Sequence, residues 1–498
     1  MNYYHLSMKK IYLFAALFIL LFPAIRAQES NIHYSVETFG GYISDKHIPF
    51  WLRSNQFGSI PTDNASLSFV GKVSKEFDKG RKKLFDWGAS FEGRANIGDK
   101  SNFIFIEGYG KLKFSIFELR AGRSKEITGL CDSSLSSGAF AVSGNALGIP
   151  KVQISIPDFY TLPFLGRLFA FKGNYVHGWI GNVPLNMLDG SEENLKTYLH
   201  QKSLYGRFGK PGWKWKLFGG FNHQVQWGSE TDYYGSYYTL SNLQCYWYLI
   251  SGKPYGTDNI PSSKIGNHLG SIDLGLEYNF GHARLFAYHQ FFYDVGALYH
   301  LANLRDGLNG LSLTNTQTED IHSFKWRKIL LEFFYSKNQA GEWWSPVTPS
   351  GDENYYNNDS YIEGWSYKGV GVGNPLIGTR YGIREELPDD PGDYFVNNRV
   401  VALHFGFEGS VMKWNFILKT SYSLNYGTFG TSEEGHSIGE IHFPPTYGIF
   451  PETKQFSSFV ETNKELKRGL KLGFIGAFDV GDLYYNSFGF QLKLSKSF

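Results

Sequence analysis

A stretch near the C-terminus constrains the fold more than any other part of the chain. Between Phe488 and Phe498 every second side chain is apolar except Lys496, and the side chains between them are small or polar. Successive side chains of a β-strand point to opposite faces, so this pattern predicts a strand with one apolar and one polar face, about long enough to span a membrane. Outer-membrane barrels often end on an aromatic residue, as this stretch does at Phe498. An ordinary amphipathic edge strand is the alternative interpretation.

The same alternation recurs along the chain. In Ser271–Phe280 apolar and polar residues alternate without a break, and Gly281-His282 predicts a turn into a second strand, Ala283–Phe291. Aromatic residues make up 18% of the chain, yet the mean hydropathy is −0.29. Beyond Ala27 no apolar run approaches the ~18 residues that a membrane helix needs. The pattern therefore predicts an all-β fold, a closed transmembrane antiparallel β-barrel with short periplasmic turns and long extracellular or lumen-filling loops.

The N-terminus resembles a secretory signal. Residues 1–27 contain a basic pair, Lys9-Lys10, then the apolar run Ile11–Pro23 and a small residue, Ala27, for cleavage. We therefore predict a signal peptide over residues 1–27 and a single barrel domain over residues 28–498. Export followed by barrel assembly predicts the outer membrane of a Gram-negative bacterium as the location.

Charge and cysteine content exclude several classes of partner. Removing residues 1–27 takes away three basic residues and no acidic one, which changes the formal net charge from +2 to −1. A nucleic-acid partner would require a basic surplus, so none is expected. The two cysteines, Cys131 and Cys245, form no CxxC motif, so no metal or cofactor is predicted. A single disulfide between them is possible in an exported protein.

Two long segments without a strand period are rich in aromatic residues: Gly228–Asn267 and Gln339–Asn397. Sugar rings have C–H faces that pack on aromatic rings and hydroxyls that need amide or carboxylate partners, so these segments are candidate polysaccharide sites. Interfacial aromatic girdles, which occur in any barrel, are the alternative explanation. The candidate sugar-contacting residues are Trp343, Trp344, Tyr355, Tyr356 and Trp365 in the second segment and Tyr233 and Tyr234 in the first.

A polar run follows a strongly alternating strand at Gly220–Gly228. Asn222, Gln224 and Gln226 fall on one face of this run, which is expected to be the lumen face. They would serve either as a plug or glycan ladder or, as we favour, as internal packing of a crowded barrel. Two further segments are of interest: Pro49–Pro61 reads as a packed loop or a lumen insertion, and Gly129–Pro150 is a loop that could plug the lumen. Helical patterns are scarce, and Ser191–His200 is the best of them.

Catalytic signals are weak. His289 and His404 are candidates for a general base, but no GxSxG or HExxH motif marks a nucleophile or a metal. The acidic pairs Glu385-Glu386 and Asp389-Asp390 would suit glycoside cleavage only if they faced each other across a substrate. Consecutive acids in a proline-rich loop more often form a solvated or cation-binding surface. We therefore predict that the protein is not an enzyme.

Five stretches together resemble the capsule-assembly Wzi family. They are PFWLRSNQFGSIP (residues 49–61), SSGAFAVSGNALGIP (136–150), LHQKSLYG (199–206), GFNHQVQWG (220–228) and GNPL (373–376). The resemblance implies an outer-membrane barrel of about eighteen strands that acts as a lectin and holds capsular polysaccharide at the cell surface. Members of the family can carry a periplasmic helical bundle near the N-terminus, and little helical periodicity precedes Leu112 here. The Phe498 ending also resembles the signal read by the barrel-assembly machinery.

These observations predict a monomeric barrel whose partners are capsular polysaccharide, outer-membrane lipid and the barrel-assembly machinery. Many weak contacts along a repeating polymer would sum to durable attachment. The main alternative is an outer-membrane saccharide channel, or porin, which needs an open bore. A second alternative is an outer-membrane hydrolase acting on lipid or glycan.

Overall fold

The chain forms a closed barrel. In a computed structural model of the protein the described residues are 31–44, 47–60, 65–78, 83–98, 101–294, 296–317, 324–340, 353–438 and 441–498. Eighteen antiparallel strands form one sheet. The first strand pairs with the second and also with the last, with Gly40 opposite Leu492, so no edge is left open. The predicted fold is confirmed, and the signal peptide predicted for residues 1–27 lies outside the described residues.

The strands follow one another around the barrel in chain order. Their bounds are β1 Ile32–Ile43, β2 Ala65–Lys75, β3 Phe85–Gly98, β4 Asn102–Phe114, β5 Phe117–Arg123, β6 Lys151–Thr161, β7 Phe169–Asn186, β8 Glu192–Phe208, β9 Trp215–Trp227, β10 Asn267–Asn279, β11 Ala283–Tyr293, β12 Gly307–Asn315, β13 Phe324–Tyr335, β14 Val400–Val411, β15 Trp414–Asn425, β16 Thr453–Glu465, β17 Leu470–Gly481 and β18 Ser487–Ser497. The predicted hairpin of Ser271–Phe280 with Ala283–Phe291 is confirmed as β10 and β11, paired in register.

The two ends of the barrel differ in the length of their connections. At the end that holds the start of β1 and the end of β18, the connections are short, as at 115–116, 280–282 and 412–413. At the opposite end lie the long connections 124–150, 228–266, 336–399 and 426–452. Outer-membrane barrels have short turns on the periplasmic side and long loops outside, which orients the molecule. Both ends of the sheet-forming chain are therefore periplasmic, as expected from an even number of strands.

The outer surface carries the apolar side chains that the alternation predicts. In β18, Phe488, Phe490, Leu492 and Leu494 are exposed, and Lys496 lies near the periplasmic rim with its Nζ 4.5 Å from the centre of the Phe498 ring. Other strands add to this apolar band. Its members include Trp87, Phe103, Leu112, Ile154, Leu204, Leu217, Ile272, Leu274, Leu276, Leu331 and Leu403.

Helices are few and short in the described part of the chain. They are α1 Phe50–Arg53, α2 Glu230–Tyr234 and α3 Asn242–Ser251, with 3₁₀ turns at Leu165–Arg167, Gly235–Tyr237, Arg380–Gly382, Phe429–Thr431 and Lys467–Gly469. Among the described residues no helix combines the length and the apolar character required to cross a membrane. Before Leu112 the described helical structure consists of α1, so the described residues there contain no helical bundle.

The helix suggested for Ser191–His200 is wrong, because this segment belongs to strand β8. Its spacing of Leu195 and Leu199 fits a helical turn, but β8 pairs along most of its length with β7 on one side and β9 on the other. Tertiary pairing overrides a weak local pattern here. The longest described helix, α3, was not predicted.

Candidate functional site

Three chain segments fill the extracellular half of the lumen. We name residues 50–58, 129–149 and 353–377 the lumen plug. Asn55 Nδ2 donates to the Ser137 carbonyl at 2.8 Å, and Ser143 Oγ donates to the Gly373 carbonyl at 2.6 Å, so the three segments are joined to one another. Of the two interpretations of Pro49–Pro61, the lumen insertion is the one that its described residues, 49–60, adopt, and Gly129–Pro150 does lie in the lumen as a plug.

Buried carboxylates of the barrel wall hold the plug. Asp273 in β10 accepts a hydrogen bond from the Leu130 backbone N–H at 2.6 Å. Glu332 in β13 accepts from Ser136 Oγ and from the Ser137 backbone N–H, each at 2.6 Å. A charge buried in the lumen needs several donors to offset its lost hydration, and the plug supplies them. The plug is therefore bonded to the wall as well as packed against it.

The predicted sugar-contacting rings of the second segment are internal. Tyr355, Tyr356 and Trp365 are each 0% exposed. The Tyr356 hydroxyl donates to the Phe140 carbonyl and accepts from the Asn374 backbone N–H, and Trp365 Nε1 donates to the His268 carbonyl at 3.3 Å. Rings covered on every side cannot stack on a polymer, so the structure corrects this prediction for these three residues. They assemble the plug.

Two plug segments approach each other closely at Gly373, and only glycine fits at this position. A Cβ on Gly373 would lie 2.1 Å from both the Phe140 carbonyl oxygen and the Tyr356 hydroxyl. No side chain fits there without moving backbone atoms. The GNPL stretch that carries part of the family resemblance therefore marks a contact between two plug segments.

Acidic groups lie at the top of the plug, outside the strands. Asp306 accepts from the Tyr355 hydroxyl at 2.6 Å and from the backbone N–H groups of Asn338 and Gln339. Burial raises the pKa of Asp306 to about 7, although these hydrogen bonds oppose the shift. Burial also raises the pKa of Asp294, which accepts from the Tyr356 backbone N–H at 2.8 Å. Protonation of these groups is thus coupled to plug packing.

The polar run of β9 faces the lumen, as predicted. Gln224 Nε2 donates to the Ala141 carbonyl at 3.1 Å and Gln226 Nε2 donates to the Gly364 carbonyl at 3.1 Å, so both bind the plug. Asn222 Nδ2 donates to the Tyr205 hydroxyl at 2.9 Å and to Ser271 Oγ at 2.7 Å. All three are buried. Their arrangement corresponds to internal packing, the interpretation we favoured.

Below the plug the lumen is charged. We name this periplasmic part the vestibule. Its ion pairs are Lys72 with Glu92 at 3.4 Å and Glu107 at 3.6 Å, and Lys493 with Glu37 and Glu461 at 3.4 Å each. Lys328 pairs with Asp132, at the lower face of the plug, at 2.9 Å. The lysine side chains are 20–37% exposed, so water reaches this level. The barrel is therefore wet below and closed above.

The remaining predicted residues lie at the two ends of the barrel. Tyr233 and Tyr234 are in α2 at the extracellular end, half-buried, with ring centres 4.7 Å apart. Trp343 and Trp344 lie outside the described residues. Phe498 extends the β1–β18 pairing, since its backbone N–H donates to the Tyr34 carbonyl at 2.9 Å. The Phe498 ring is exposed.

A cleft of about 440 Å³ opens at the extracellular end, above the plug. It lies between the β1–β2 connection, residues 380–389 and the short β17–β18 turn. Its floor includes Asp479, which accepts from the Phe50 backbone N–H at 2.7 Å. Tyr381 stands at its rim and is 81% exposed. The rings of His47 and Tyr485 stack with centres 4.1 Å apart.

The cleft presents guanidinium groups beside these rings. Arg384 donates to the carbonyls of Tyr484 at 3.0 Å and Gly481 at 2.7 Å, and Arg53 donates to the Gly382 carbonyl at 3.3 Å. Among the described residues neither arginine forms an ion pair with a carboxylate. Each therefore keeps N–H groups for a polar ligand. Rings and fixed donors in one concave surface are suited to binding a sugar.

Sequence reasoning missed this cleft. It singled out the acids of this region and passed over Arg380, Tyr381 and Arg384. The acids are partly engaged: Asp389 pairs with Arg380 at 2.5 Å, and Glu386 accepts from the Tyr485 hydroxyl. The available signal was a pair of arginines, Arg380 and Arg384, four positions apart with Tyr381 between them. Their partners, His47 and the Tyr484-Tyr485 turn, are remote in sequence and give no local hint.

His404, one candidate general base, lies beside a serine. His404 Nδ1 is 2.8 Å from Ser421 Oγ, and its Nε2 is 2.7 Å from the Leu135 carbonyl oxygen. Trp51 Nε1 also donates to Ser421 Oγ. Both residues are buried against the plug, so this pair fastens plug to wall. The cysteines Cys131 and Cys245 are free thiols, and the possible disulfide is not formed.

No protein-family model matches the chain, and no curated protein matches it. Among solved structures the chain is similar to Wzi, described as an outer membrane protein involved in group 1 capsule assembly in Escherichia coli and as a carbohydrate-binding β-barrel. The identity is 12% and the TM-score 0.51, with 93% of this chain and 84% of that chain covered. It is also similar to OccK5 (OpdH) of Pseudomonas aeruginosa, at 9% identity and a TM-score of 0.43, covering 94% and 97%. These likenesses are of fold, that of an outer-membrane β-barrel.

Proposed function

We propose that this outer-membrane barrel retains a polysaccharide at the cell surface and that the polymer binds in the extracellular cleft. The observation that carries the proposal is the position of the cleft directly above a plug that is bonded to the wall. A ligand entering from outside meets an aromatic, arginine-bearing surface and then a closed lumen. Such a site suits holding a polymer rather than passing it.

The chemistry of the cleft matches a sugar chain. The exposed Tyr381 ring and the stacked pair of His47 and Tyr485 offer faces for the C–H surfaces of pyranose rings. Arg53 and Arg384 offer donors for hydroxyl or carboxylate oxygens. Each contact is weak, but a repeating polymer meets many barrels at once, and attachment then becomes durable through multivalency. No catalytic step is part of the proposal.

Two observations support this function. The stretches of the sequence that resemble the Wzi family lie in the plug and in the adjoining β8 and β9, and the chain shares its fold with the carbohydrate-binding barrel Wzi. The capsular nature of the polymer rests on the resemblance. The buried position of Tyr355, Tyr356 and Trp365 moves the proposed contact from those rings to the cleft.

Binding of surface polysaccharide, purified from the native bacterium, to the protein in lipid nanodiscs tests the proposal. We expect Tyr381→Ala with Arg384→Ala to weaken binding at least about tenfold, since each removes a contact worth ~1 kcal/mol or more. Tyr299→Ala is the matched control, because Tyr299 is equally exposed on a different extracellular connection. In cells, the double variant should shed into the medium polymer that the control retains. Equal binding and retention by the double variant and the control would refute the cleft as the site.

A saccharide channel is the second candidate, and the charged vestibule favours it. Porin-like conduction requires that the plug move aside, so that a continuous passage connects the vestibule to the cleft. Planar-bilayer recordings decide between the two. A retention protein should show no steady conductance, whereas a large stable conductance for the wild-type protein would establish the channel.

A further inference from the structure

The β9–β10 connection folds back over the outside of the barrel. Because Gln224 faces the lumen, its neighbour Val225 must face outward, as Phe221 does. Phe221 is exposed, whereas Val225 is 0% exposed. Val225 is covered by Cys245 and Leu249 of α3, together with apolar residues of the same connection. The outer wall is therefore covered here by the protein's own chain.

Helix α3 lies along this wall. Its Tyr246 hydroxyl accepts a hydrogen bond from the Tyr175 hydroxyl on β7 at 2.9 Å. The Ile250 carbonyl accepts from Lys202 Nζ on β8 at 2.5 Å. Tyr175 and Lys202 are opposite each other in the β7–β8 pairing and so share the outward face. Two strands thus fix the helix at two points.

The helix sits at the upper margin of the apolar band. The next outward-facing residue of β8 after Lys202, toward the periplasm, is Leu204. Ile154 on β6 lies opposite Tyr175. Leu204 and Ile154 are both exposed members of the band that faces lipid. The C-terminal end of α3 is therefore level with the boundary between acyl chains and headgroups.

The face of α3 that points away from the wall is apolar. Leu243 is 81% exposed and Trp247 is 63% exposed, and with Ile250 they follow i, i+4, i+7 spacing. The helix contains no charged residue. An exposed apolar stripe of this kind is unfavourable in water but suits the membrane interface, where tryptophan is enriched. Its continuity with the lipid-facing band identifies lipid as the occupant.

The lysines of the β9–β10 connection and of the adjoining β8 have no acidic partner among the described residues. Lys253 follows α3 and its Nζ lies 4.8 Å from the centre of the Tyr248 ring, and Lys264 Nζ donates to the Tyr293 hydroxyl. In the part of the chain that the structure describes, Lys202, Lys253 and Lys264 form no ion pair with a carboxylate. Cations at headgroup depth attract anionic lipid.

We propose that α3, Lys253 and Lys264 form a binding site for a phosphate-bearing lipid of the outer leaflet. The stripe of Leu243, Trp247 and Ile250 contacts the acyl chains, and the two ammonium groups contact the phosphate. The site lies on the outer wall, away from the cleft, and stands whether or not the protein binds polysaccharide. It fixes the β9–β10 connection to the membrane surface.

Tryptophan quenching in vesicles tests the position of the helix. The fluorescence difference between the wild-type protein and Trp247→Phe reports Trp247, and the difference between Tyr381→Trp and wild type reports a water-exposed reference. We expect Trp247 to be quenched by brominated phosphatidylcholine and protected from iodide, with the reference showing the reverse. Iodide quenching of Trp247 equal to the reference would overturn the proposal. Protection of Trp247 from both quenchers would also overturn the proposal. It would mean that protein, such as a second copy of the chain, covers this face instead of lipid.

The headgroup contact is tested with brominated phosphatidylglycerol mixed with unbrominated phosphatidylcholine. We expect wild-type Trp247 to favour the anionic lipid, and Lys253→Gln with Lys264→Gln to lose this preference by about fivefold for each lysine. Lys413→Gln, at a periplasmic turn, is the matched control. An unchanged preference in the double variant would overturn the assignment of the lysines. Displacement of the lipid by inorganic phosphate would overturn the choice of lipid over a soluble anion.

Discussion

The β9–β10 connection and the β13–β14 connection are both aromatic but lie on opposite sides of the barrel wall. Both are long, rich in tyrosine, and without a strand period. The described part of the β13–β14 connection enters the lumen, where Tyr355 and Trp365 are fully buried. The β9–β10 connection instead covers the outer wall and leaves Trp247 exposed. Aromatic content alone therefore does not determine on which side of the wall a loop lies.

The difference lies in how each segment satisfies its backbone polar groups. Inside the lumen, Asn357 and Asn398 donate to backbone carbonyls of distant residues of the same connection, and Asp294 and Asp306 accept from backbone N–H groups. Outside, α3 satisfies its own backbone and begins with a capping box at Ser241. A loop with many asparagine and glycine residues depends on hydrogen-bonding side chains inside the lumen, whereas a loop with its own helix can lie beside lipid.

The largest effect should follow from Tyr356→Ala in the internal segment. Losing a fully buried ring and its two hydrogen bonds should destabilise the packed plug by ~3–5 kcal/mol. We expect a lower thermal unfolding temperature and the appearance of conductance in planar bilayers. Tyr356→Phe, which keeps the ring, should lose only ~1–3 kcal/mol and stay closed. A stable, silent Tyr356→Ala barrel would show that the plug does not depend on this ring.

Leu249→Ala in the external segment should have a smaller and local effect. The side chain is buried against Val225, so truncation should weaken the docking of α3 by ~2–4 kcal/mol. Hydrogen exchange should accelerate in residues 228–266, while plug amides and the unfolding temperature of the barrel remain as in wild type. Leu188→Ala is the control, since Leu188 is exposed on the β7–β8 connection and lies outside the cluster around Val225. Acceleration within the plug would contradict the independence of the two segments.

The internal segment should respond to pH in the range set by Asp306. Its pKa is raised from an ordinary 3.8 to about 7 in the folded protein, so the folded state binds a proton that the opened state releases. Plug stability should therefore rise as pH falls from about 7 toward 4, by up to about tenfold in protection per pH unit. Asp294, whose pKa is also raised, acts in the same direction.

Hydrogen exchange at residues 353–357, corrected for intrinsic rates, measures this dependence. Asp306→Asn should flatten the profile. A profile that runs the other way, with protection lost on acidification, would show that the hydrogen bonds to the carboxylate outweigh its burial.

Ser241→Ala should have the smallest effect. The Ser241 side chain accepts from the Gln244 backbone N–H at 3.4 Å, and its loss should cost ~1 kcal/mol at the start of α3. Faster exchange in the first turn of the helix is the expected result, with Ser241→Asp restoring protection. No change would mean that docking, rather than capping, maintains the helix.

The barrel was predictable from sequence because its constraint is local and repeated. Alternation in β10, β11 and β18 is visible residue by residue, since each strand must present apolar side chains to lipid. The sequence did not show which long connections lie inside the lumen and which lie outside the barrel. Tyr355 has the same neighbours in sequence whether it binds a glycan or Asp306, and only the fold supplies Asp306.

The site was less predictable than the fold for the same reason. The lumen role of Asn222, Gln224 and Gln226 followed from strand parity. The cleft depends on His47, Arg384 and Tyr485, which come from three distant connections. Helix α3 carried a readable signal in Ser241-x-x-Gln244 followed by Gly252, which adopts the left-handed conformation at the helix end. That signal is short and was outweighed by the aromatic composition around it.

The vestibule has an electrical consequence. Water that surrounds Lys72, Lys328 and Lys493 joins the periplasmic solution and carries its potential up to the underside of the plug. Any voltage across the membrane then falls over the thickness of the plug instead of the whole bilayer. The field acting on Asp273 and Glu332 is correspondingly steeper than in a uniformly filled barrel. The carboxylates that fasten the plug thus occupy the part of the molecule where a voltage would exert the most force.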